Sequence, residues 1–362
     1  MEILVVNSFF WKDRRVLVTG HTGFKGSWLS LWLQSLGANV TGISLAPPTE
    51  PSLFEVADVE SGMNSEIGDI RDYEKMKQIF SEYKPEIVFH LAAQSLVRHS
   101  YNDPVETYET NVMGTLSILE AVRSVDSVRA VIMITTDKCY ENKEWVWAYR
   151  ENEPMGGFDP YSSSKGCAEL LISSYRNSFF SENNYQSHKT AIASVRAGNV
   201  IGGGDWADDR LIPDLLNAFI EKKKPLVRNP HAIRPWQHVL EPLSGYMLLA
   251  ELLYTNGMEY AEAWNFGPDQ NDAKPVEWIA DEIAALWGEG AEWVNDMDEK
   301  HPHEANYLKL DSTKANTRLK WHPRWDITDA IKSIVDWHKN MLDKKSMRDI
   351  TLKQIKAFSN AK

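Results

Sequence analysis

A chain of 362 residues with 43% hydrophobic and 25% charged residues has the composition of an ordinary globular protein and is long enough for more than one core. Lys+Arg 39 against Asp+Glu 51 gives a net charge of -12, which excludes a broad attraction to nucleic acid or anionic membranes and leaves any anionic ligand to a few placed groups. The two cysteines, Cys139 and Cys167, exclude a disulfide framework, no apolar run reaches the roughly 18–20 residues of a membrane span, and residues 1–13 lack a signal-peptide pattern, so the expected location is the cytoplasm.

In chain order, residues 16–19 read as strand, 26–36 as helix, 40–43 as strand, 72–83 as helix and 86–90 as strand. Helix is expected again over 105–122, strand over 130–134, helix over 162–175 and strand over 192–195. Uninterrupted apolar strands alternating with helices predict an α/β fold, a Rossmann-type doubly wound parallel sheet covered on both faces. Residues 197–237 are rich in Gly, Pro, Arg and Trp and carry few regular periods. Beyond them 239–253 reads as helix, 263–267 as strand, and 274–288 and 326–341 as amphipathic helices of a smaller C-terminal α/β unit. The expected division is interdigitated: 1–196 plus about 238–268 for a dinucleotide, and 197–237 plus about 269–362 for a substrate. The 14 Trp are expected to line the cleft between the units as well as a core.

Gly20, Gly23 and Gly26 follow the first strand at three-residue intervals and open the first helix. The first permits a tight turn, the second lets backbone approach a pyrophosphate, and the third lets helix pack on strand, with the helix N-terminus facing the phosphates. Thr22, Phe24 and Lys25 lie in the same turn and are candidate cofactor contacts. The second strand ends without the carboxylate that usually binds the adenosine ribose, so that position does not separate NAD from NADP. Asp69 and Ile70, between strand 40–43 and helix 72–83, are candidates for the adenine side, the alternative for Asp69 being a cap for helix 72–83. Leu91, Ala92 and Ala93 end the strand at 86–90 with the small residues that a backbone lying against a cofactor requires, and Gln94 after them is a candidate substrate contact.

Tyr161 and Lys165 sit one helical turn apart, a spacing in which an ammonium can lower a phenol's pKa and let the phenolate take a hydroxyl proton. Tyr73 and Lys77 repeat the spacing on what reads as a surface helix, so position decides. Tyr161 follows the strand at 130–134, whose end carries Thr135, Thr136, Asp137, Lys138, Cys139 and Tyr140. A hydroxyl, a carboxylate, an amine and a tyrosine are thereby expected at one strand edge.

Taken together, Gly20-x-x-Gly23-x-x-Gly26, Leu91-Ala92-Ala93, Asn111-Val112-x-Gly114-Thr115, Thr136-Asp137 and Tyr161-x-x-x-Lys165 resemble the extended short-chain dehydrogenase/reductase family, and within it the nucleotide-sugar 4,6-dehydratases. The runs 21–28, 46–49, 136–142 and 202–206 are similar to the branch that acts on CDP-glucose, and the resemblance extends through 264–268 and 319–323. It implies a lyase with tightly held NAD and a CDP-glucose substrate, feeding deoxysugar synthesis for surface polysaccharide such as lipopolysaccharide O-antigen. It further implies that Tyr161 deprotonates the C4 hydroxyl, Thr136 bonds the C4 oxygen, Lys165 also binds the nicotinamide ribose and Asp137 is the acid at C6. Asn199 and Arg234 match family positions at the substrate diphosphate, with Arg210 a further candidate; surface salt bridges are the alternative for both arginines. Helices 105–122 and 162–175 carry the apolar faces the family uses for dimers, so a homo-oligomer, dimer or tetramer, is expected.

Lys138 departs from the related dTDP-sugar dehydratases, which carry glutamate there as the C5 base. A lysine can do that work if neutral, or can stay charged and steady the enolate while another group takes the proton. Rival readings are a nucleotide-sugar 4-epimerase, a dehydratase acting on another NDP-hexose, and a dinucleotide-binding regulator. The Asp137–Lys138 pair argues against epimerisation, which needs no acid at C6, and the acid–base set argues against a regulator. His301, His303 and Glu304 read as solvated loop rather than metal ligands, and Cys139 as packing; no metal is expected.

Overall fold

The computed structural model describes residues 6–296 and 307–361. The first half runs β1 (Arg15–Thr19), α1 (Phe24–Ser35), β2 (Asn39–Ser44), β3 (Asn64–Ile67), α2 (Tyr73–Tyr83), β4 (Ile87–His90), α3 (Gly114–Arg123), β5 (Ala130–Ile134), α4 (Pro160–Ser178) and β6 (Ala191–Ala197). The second half adds β7 (Asn199–Ile201), α5 (Leu211–Ile220), β8 (Leu226–Val227), β9 (Ile233–His238), α6 (Leu240–Asn256), β10 (Ala263–Phe266), β11 (Ala273–Pro275), α7 (Val276–Trp287), β12 (Val294–Asn295), α8 (Ile327–Leu342) and α9 (Met347–Asn360). Seven strands form one parallel sheet in the order β10-β6-β5-β4-β1-β2-β3, the doubly wound arrangement the apolar strand runs predict. A separate sheet, β11-β9-β7, and the pair β12-β8 belong to the smaller unit.

Helices begin where short polar side chains satisfy first-turn N–H groups: Asp72 accepts from Lys75 N–H, Asp159 from Ser162 N–H with Pro160 at the first position, and Asp326 from Asp329 N–H. One face of the large sheet buries Trp28 and Leu31 of α1, Leu243 and Met247 of α6 and Phe358 of α9. The other buries Met76, Phe80, Ile118 and Ile172 of α2, α3 and α4. The smaller unit has its own core of Leu215, Trp236, Ile279 and Ile331.

Three segments differ from the sequence reading. The helix expected over 105–122 is interrupted by a wide π turn, Glu109–Met113, that buries Asn111. The stretch 197–237 holds two strands of the β11-β9-β7 sheet and the amphipathic helix α5, whose Ile212, Leu215, Leu216 and Phe219 share one buried face. The reading assigned no element beyond 341, yet α9 lies against α1 with Phe358 edge-on to Trp32 at 5.8 Å. That contact, with Ala315, Leu319 and Trp321, brings parts of 269–362 into the core beneath the large sheet. The tryptophans also serve packing more than a cleft: Trp11, Trp28, Trp32, Trp264 and Trp337 are fully buried. Among the described residues no helix is long and apolar enough to cross a membrane.

Two carboxyls of α6 are buried behind the sheet. Glu241 Oε1 accepts the N–H groups of Arg324 and Trp325 at 3.0 and 2.7 Å, and Glu251 accepts Asn7 N–H and Trp11 Nε1–H at 2.9 and 2.6 Å. Burial pushes Glu241 up to about 8 and Glu251 up to about 7. Each holds a proton that the unfolded chain releases near ~4.3, so its stabilisation is complete below that pH and is lost as pH rises through about 7 and 8. The buried imidazoles of His90 and His238, held down to about 3, and of His21 and His338, held down to about 4, act oppositely, losing stability as pH falls below ~6.5. Thermal unfolding across pH 5–8 is therefore expected to show a maximum Tm near pH ~6.5, with the decline toward pH 8 flattened in E241Q/E251Q. A Tm that keeps rising to pH 8 contradicts this.

Candidate active site

Thr19 pairs with His90, His90 with Met133, and Ile134 with Val195, so the carboxyl ends of β1, β4, β5 and β6 lie level. The turns leaving those strands meet along one edge. At Gly20, with φ +76°, a Cβ would stand 2.8 Å from Ala92 N, and at Gly26 one would stand 2.1 Å from Gly20 O. Strand, turn and helix thus approach to backbone contact, leaving no room for a Cβ at either glycine. Gly23 caps α1 with no side-chain hydrogen bond and no acid lies in the first turn, so the helix end offers its N–H groups and positive dipole to an anion. Leu91 and Ala92 N–H groups donate to Thr19 O and Oγ1 at 3.2 and 3.1 Å, holding Leu91, Ala92 and Ala93 beside the turn. These residues fit a dinucleotide.

Some expected cofactor contacts have internal duties. Thr22 Oγ1 bonds Ser44 Oγ at 2.8 Å and donates to Leu45 O at 2.9 Å, fastening the turn to the end of β2. Phe24 packs where a Cβ on Gly202 would meet its ring at 2.9 Å. Asp69 accepts three N–H groups of Arg71, at 2.8, 2.9 and 2.6 Å, which holds its carboxyl below the usual range; the cap of α2 is Asp72 instead. Ile70 is buried on Gly114. Gln94, expected at the substrate, has its amide engaged by Leu96 and Thr107, because the turn after β4 needs those bonds to keep its shape.

The residues expected to do acid–base work come from two elements. The Asp159 cap sets Tyr161 in the first turn of α4 and Lys165 one turn later, both buried. After β5 a single 3-10 turn, Asp137–Cys139, presents Thr136, Asp137 and Lys138. Thr136 Oγ1 donates to Asp137 Oδ1 at 3.0 Å, while Asp137 Oδ2 is buried without a partner. Burial raises the Asp137 pKa against the pull of Lys138, Thr136, Arg234 and Lys25. Burial also pushes Tyr161 up to about 12, with Thr136 and Arg210 opposing and Asp137 reinforcing. Lys165 falls to about 8 through burial and donates to Ile134 O at 3.4 Å. The lowering of Tyr161 by Lys165 expected from spacing is therefore not what the protein alone provides: desolvation is the larger effect on both groups.

Lys25 reaches into this edge as well. Its ammonium is brought to about 8 by burial and by Arg210, with Asp137 and Asp205 opposing. Arg210 is tied to buried Asp205 at 2.8 Å and lies close enough to Tyr161 for its charge to act there. Asn199 pairs with Trp236 across β7 and β9, placing Arg234 two residues along the neighbouring strand, within electrostatic reach of Asp137. Tyr140, expected at the same edge, turns inward: its Oη donates to Asn265 Oδ1 at 2.8 Å and accepts from Arg196 Nη1 at 2.7 Å.

That inward turn belongs to a network the sequence reading missed. Glu169, one turn beyond Lys165, receives Arg196 Nε and Nη2, both at 2.8 Å, together with Thr135 Oγ1 and Ser194 Oγ. An arginine inside the apolar run of β6 was the available signal. Asn111, held open by the π turn, clamps Gln94 N–H and O at 2.9 Å each and donates to Ser164 Oγ of α4 at 2.9 Å. Among the described residues no group of three or more His, Cys, Asp or Glu could hold a metal, and His301, His303 and Glu304 lie outside the described residues.

A glycine cradle at the first βα turn, with a buried Thr–Tyr–Lys set and an unpartnered acid at the next strand ends, defines a dinucleotide-binding enzyme of the extended short-chain dehydrogenase/reductase class. The chain belongs to the GDP-mannose 4,6 dehydratase family, whose model matches residues 17–334. It is 58% identical over 357 residues, 99% of each chain, to the CDP-glucose 4,6-dehydratase of Salmonella typhimurium (strain LT2). It is 28% identical to dTDP-glucose 4,6-dehydratase 1 of Escherichia coli (strain K12), covering 90% of this chain and 92% of that one. Among solved structures, UDP-glucose 4-epimerase of Thermotoga maritima with UDP-glucose shares the fold with TM-score 0.77 at 23% identity, over 90% of this chain and 99% of that one. The dTDP-glucose 4,6-dehydratase of Bacillus anthracis in complex with NAD does so with TM-score 0.72 at 21% identity, over 91% and 97%.

The Glu169–Arg196 pair, 3% and 4% exposed, yields the prediction for this site. R196M leaves a buried carboxylate without its cation and is expected to cost about 3–5 kcal/mol in urea unfolding, part of it recovered in E169Q/R196M. A loss below about 0.5 kcal/mol would show that the pair does not hold the site's elements together.

Proposed function

We propose that the protein converts CDP-D-glucose to CDP-4-dehydro-6-deoxy-D-glucose and water, with NAD as its cofactor. The observation that carries the reaction type is Asp137: a buried carboxyl with one unpartnered oxygen, electrostatically coupled to Tyr161. An acid so placed suits protonation of a departing C6 hydroxyl, which a 4-epimerase does not require. The CDP preference rests on the 58% relative.

NAD, when bound, would supply the redox chemistry as acceptor and then donor of a hydride. The glycine cradle, Leu91–Ala93 and Lys165 would hold it, with Asp69 and Ile70 on its adenine side. Tyr161 takes the C4 hydroxyl proton, and Thr136 bonds the C4 oxygen. Once C4 is a ketone the C5 proton is acidic; Lys138 acts there, as base or as the cation that steadies the enolate. Asp137 then protonates the C6 oxygen, which leaves as water. Asn199, Arg234 and Arg210 receive the sugar-nucleotide diphosphate. Both thiols are free, which suits the cytoplasm.

Incubation with CDP-, dTDP-, UDP- and GDP-glucose is expected to give a 4-keto product from CDP-glucose with no net cofactor reduction. Product from none of the four overturns the dehydratase reading. In the same assay D137N should lose about 10²–10⁴-fold in kcat. K138A should lose solvent-deuterium exchange at C5, and unchanged exchange removes Lys138 from the mechanism.

We also propose a homo-oligomer, built on the face that Pro104–Tyr108, Glu109–Met113 and α4 present. Val105, Met113 and Leu170 there are 65%, 51% and 62% exposed. Light scattering is expected to give at least a dimer, reduced in M113E/L170E; a wild-type monomer at micromolar concentration refutes the assignment.

A further inference from the structure

The acid assigned to C6 is backed by two residues that the reaction above does not use. Gly198 is the single residue between β6 and β7, and its φ lies outside the positive range that favours glycine, so a turn does not explain its missing side chain. Close approach does. A Cβ at Gly198 would stand 3.1 Å from Asp137 Oδ2, 2.6 Å from Pro235 Cγ and 3.2 Å from Pro235 O. A point too close to the proline ring for a methyl group has no room for a water either. The acid's oxygen and the ring therefore flank the glycine backbone with no solvent at the point between them. Pro235 is buried on β9, and Asp137 is 2% exposed.

Neither Pro235 atom can donate to a carboxylate: Cγ is apolar, the residue has no N–H, and its carbonyl oxygen only accepts. Asp137 Oδ2 has no hydrogen-bond partner among the described residues. On that side an ionised carboxyl gives up hydration and receives nothing for it, whereas a neutral one gives up little. Burial is the largest of the influences on Asp137 and acts in that direction. Because the wall occupies no lone pair, the same oxygen stays available to the substrate.

We propose that Gly198 and Pro235 form an apolar wall behind Asp137 and that Pro235, by keeping water from that side of the carboxyl, is a positioning residue for the proton delivered at C6. The proposal rests on the dehydratase reading, in which the acid must hold its proton until the C6 oxygen takes it. Of the ionisable groups within electrostatic reach of Asp137, Lys138 and Cys139 share its turn, Lys25 comes from α1, Tyr161 from α4, Tyr246 from α6 and Arg234 from β9. Only Arg234 adjoins Pro235 in the chain, and its assigned partner is the substrate diphosphate, so a displaced Arg234 is read in KM.

The test begins with P235A, which removes Cγ and Cδ and opens the wall to water. With CDP-glucose, the plateau of kcat below the basic limb is expected to persist. The limb itself should move down by about one pH unit, a loss of up to about tenfold in kcat above it, because the ionised carboxyl gains hydration. G198A/P235A supplies the control: with Cγ gone the new methyl has space, stands 3.1 Å from Asp137 Oδ2 and closes the wall again, so the limb is expected to return to its wild-type position. A merely structural defect would deepen in the double variant. P235T, of nearly the same volume as proline but with a hydroxyl, is expected to lower the limb as P235A does and replaces it if P235A does not fold. An unmoved limb in the folded variant overturns the proposal, whatever kcat or KM does, and so does a limb that stays down in G198A/P235A. Should the wild-type enzyme turn over no glucose nucleotide, the dehydratase reading fails separately. The Asp137 carboxyl band, assigned by its absence in D137N and titrated by infrared spectroscopy in the full chain, then decides: a lower midpoint in P235A that G198A/P235A restores supports the wall, and an equal midpoint sinks it.

Discussion

The buried Glu169–Arg196 ion pair is the contact on which the site's geometry depends. Glu169 lies on the helix that carries Tyr161 and Lys165, Arg196 on the adjacent strand, and Thr135 at the foot of the Thr136–Asp137–Lys138 turn. Two charges in so dry a place are tolerable only if every lone pair and proton finds a partner. Here the carboxylate takes four donors, and the remaining guanidinium nitrogen serves Tyr140 Oη and Glu151 O at 2.7 and 3.1 Å. The helix cannot slide or rotate on the sheet without unpairing a charge. Tyr161 and Thr136, which come from different elements, therefore keep one relative position.

Above that brace the electrostatics are a contest between burial and local charge. Desolvation raises Asp137 and Tyr161 and lowers Lys165 and Lys25, moving each toward its neutral form. The two ammoniums are thereby brought to about 8, whereas Tyr161, at about 12, is moved away from neutrality. The net charge of -12 says nothing about this region. The cations Lys25, Lys165, Arg210 and Arg234 gather at the strand ends while the acidic excess lies elsewhere, so anionic ligands and an acidic exterior are compatible.

Legibility in the sequence followed the range of the interactions. The parallel strands of the first half, the glycine turn and the Tyr161–Lys165 helix were readable because periodicity, turn glycines and caps act within a few residues. The π turn at Glu109–Met113 was not, since its cause is Asn111 clamping Gln94 and Ser164 from other elements. Nor was α9, whose apolar positions gain meaning from the α1 surface they cover. Gln94 and Tyr140 also make internal hydrogen bonds, which no spacing rule reveals.

The sequence by itself determined the fold class and the glycine turn and supplied the residues proposed for acid–base work, because each depends on local backbone geometry or on a short motif. Only the tertiary structure decided which groups share a pocket and in what protonation state. Lys25, within electrostatic reach of Asp137, and the unpartnered oxygen of that acid come from elements far apart in the chain. Their pKa values follow from burial, which is a property of the packed molecule and of no segment alone.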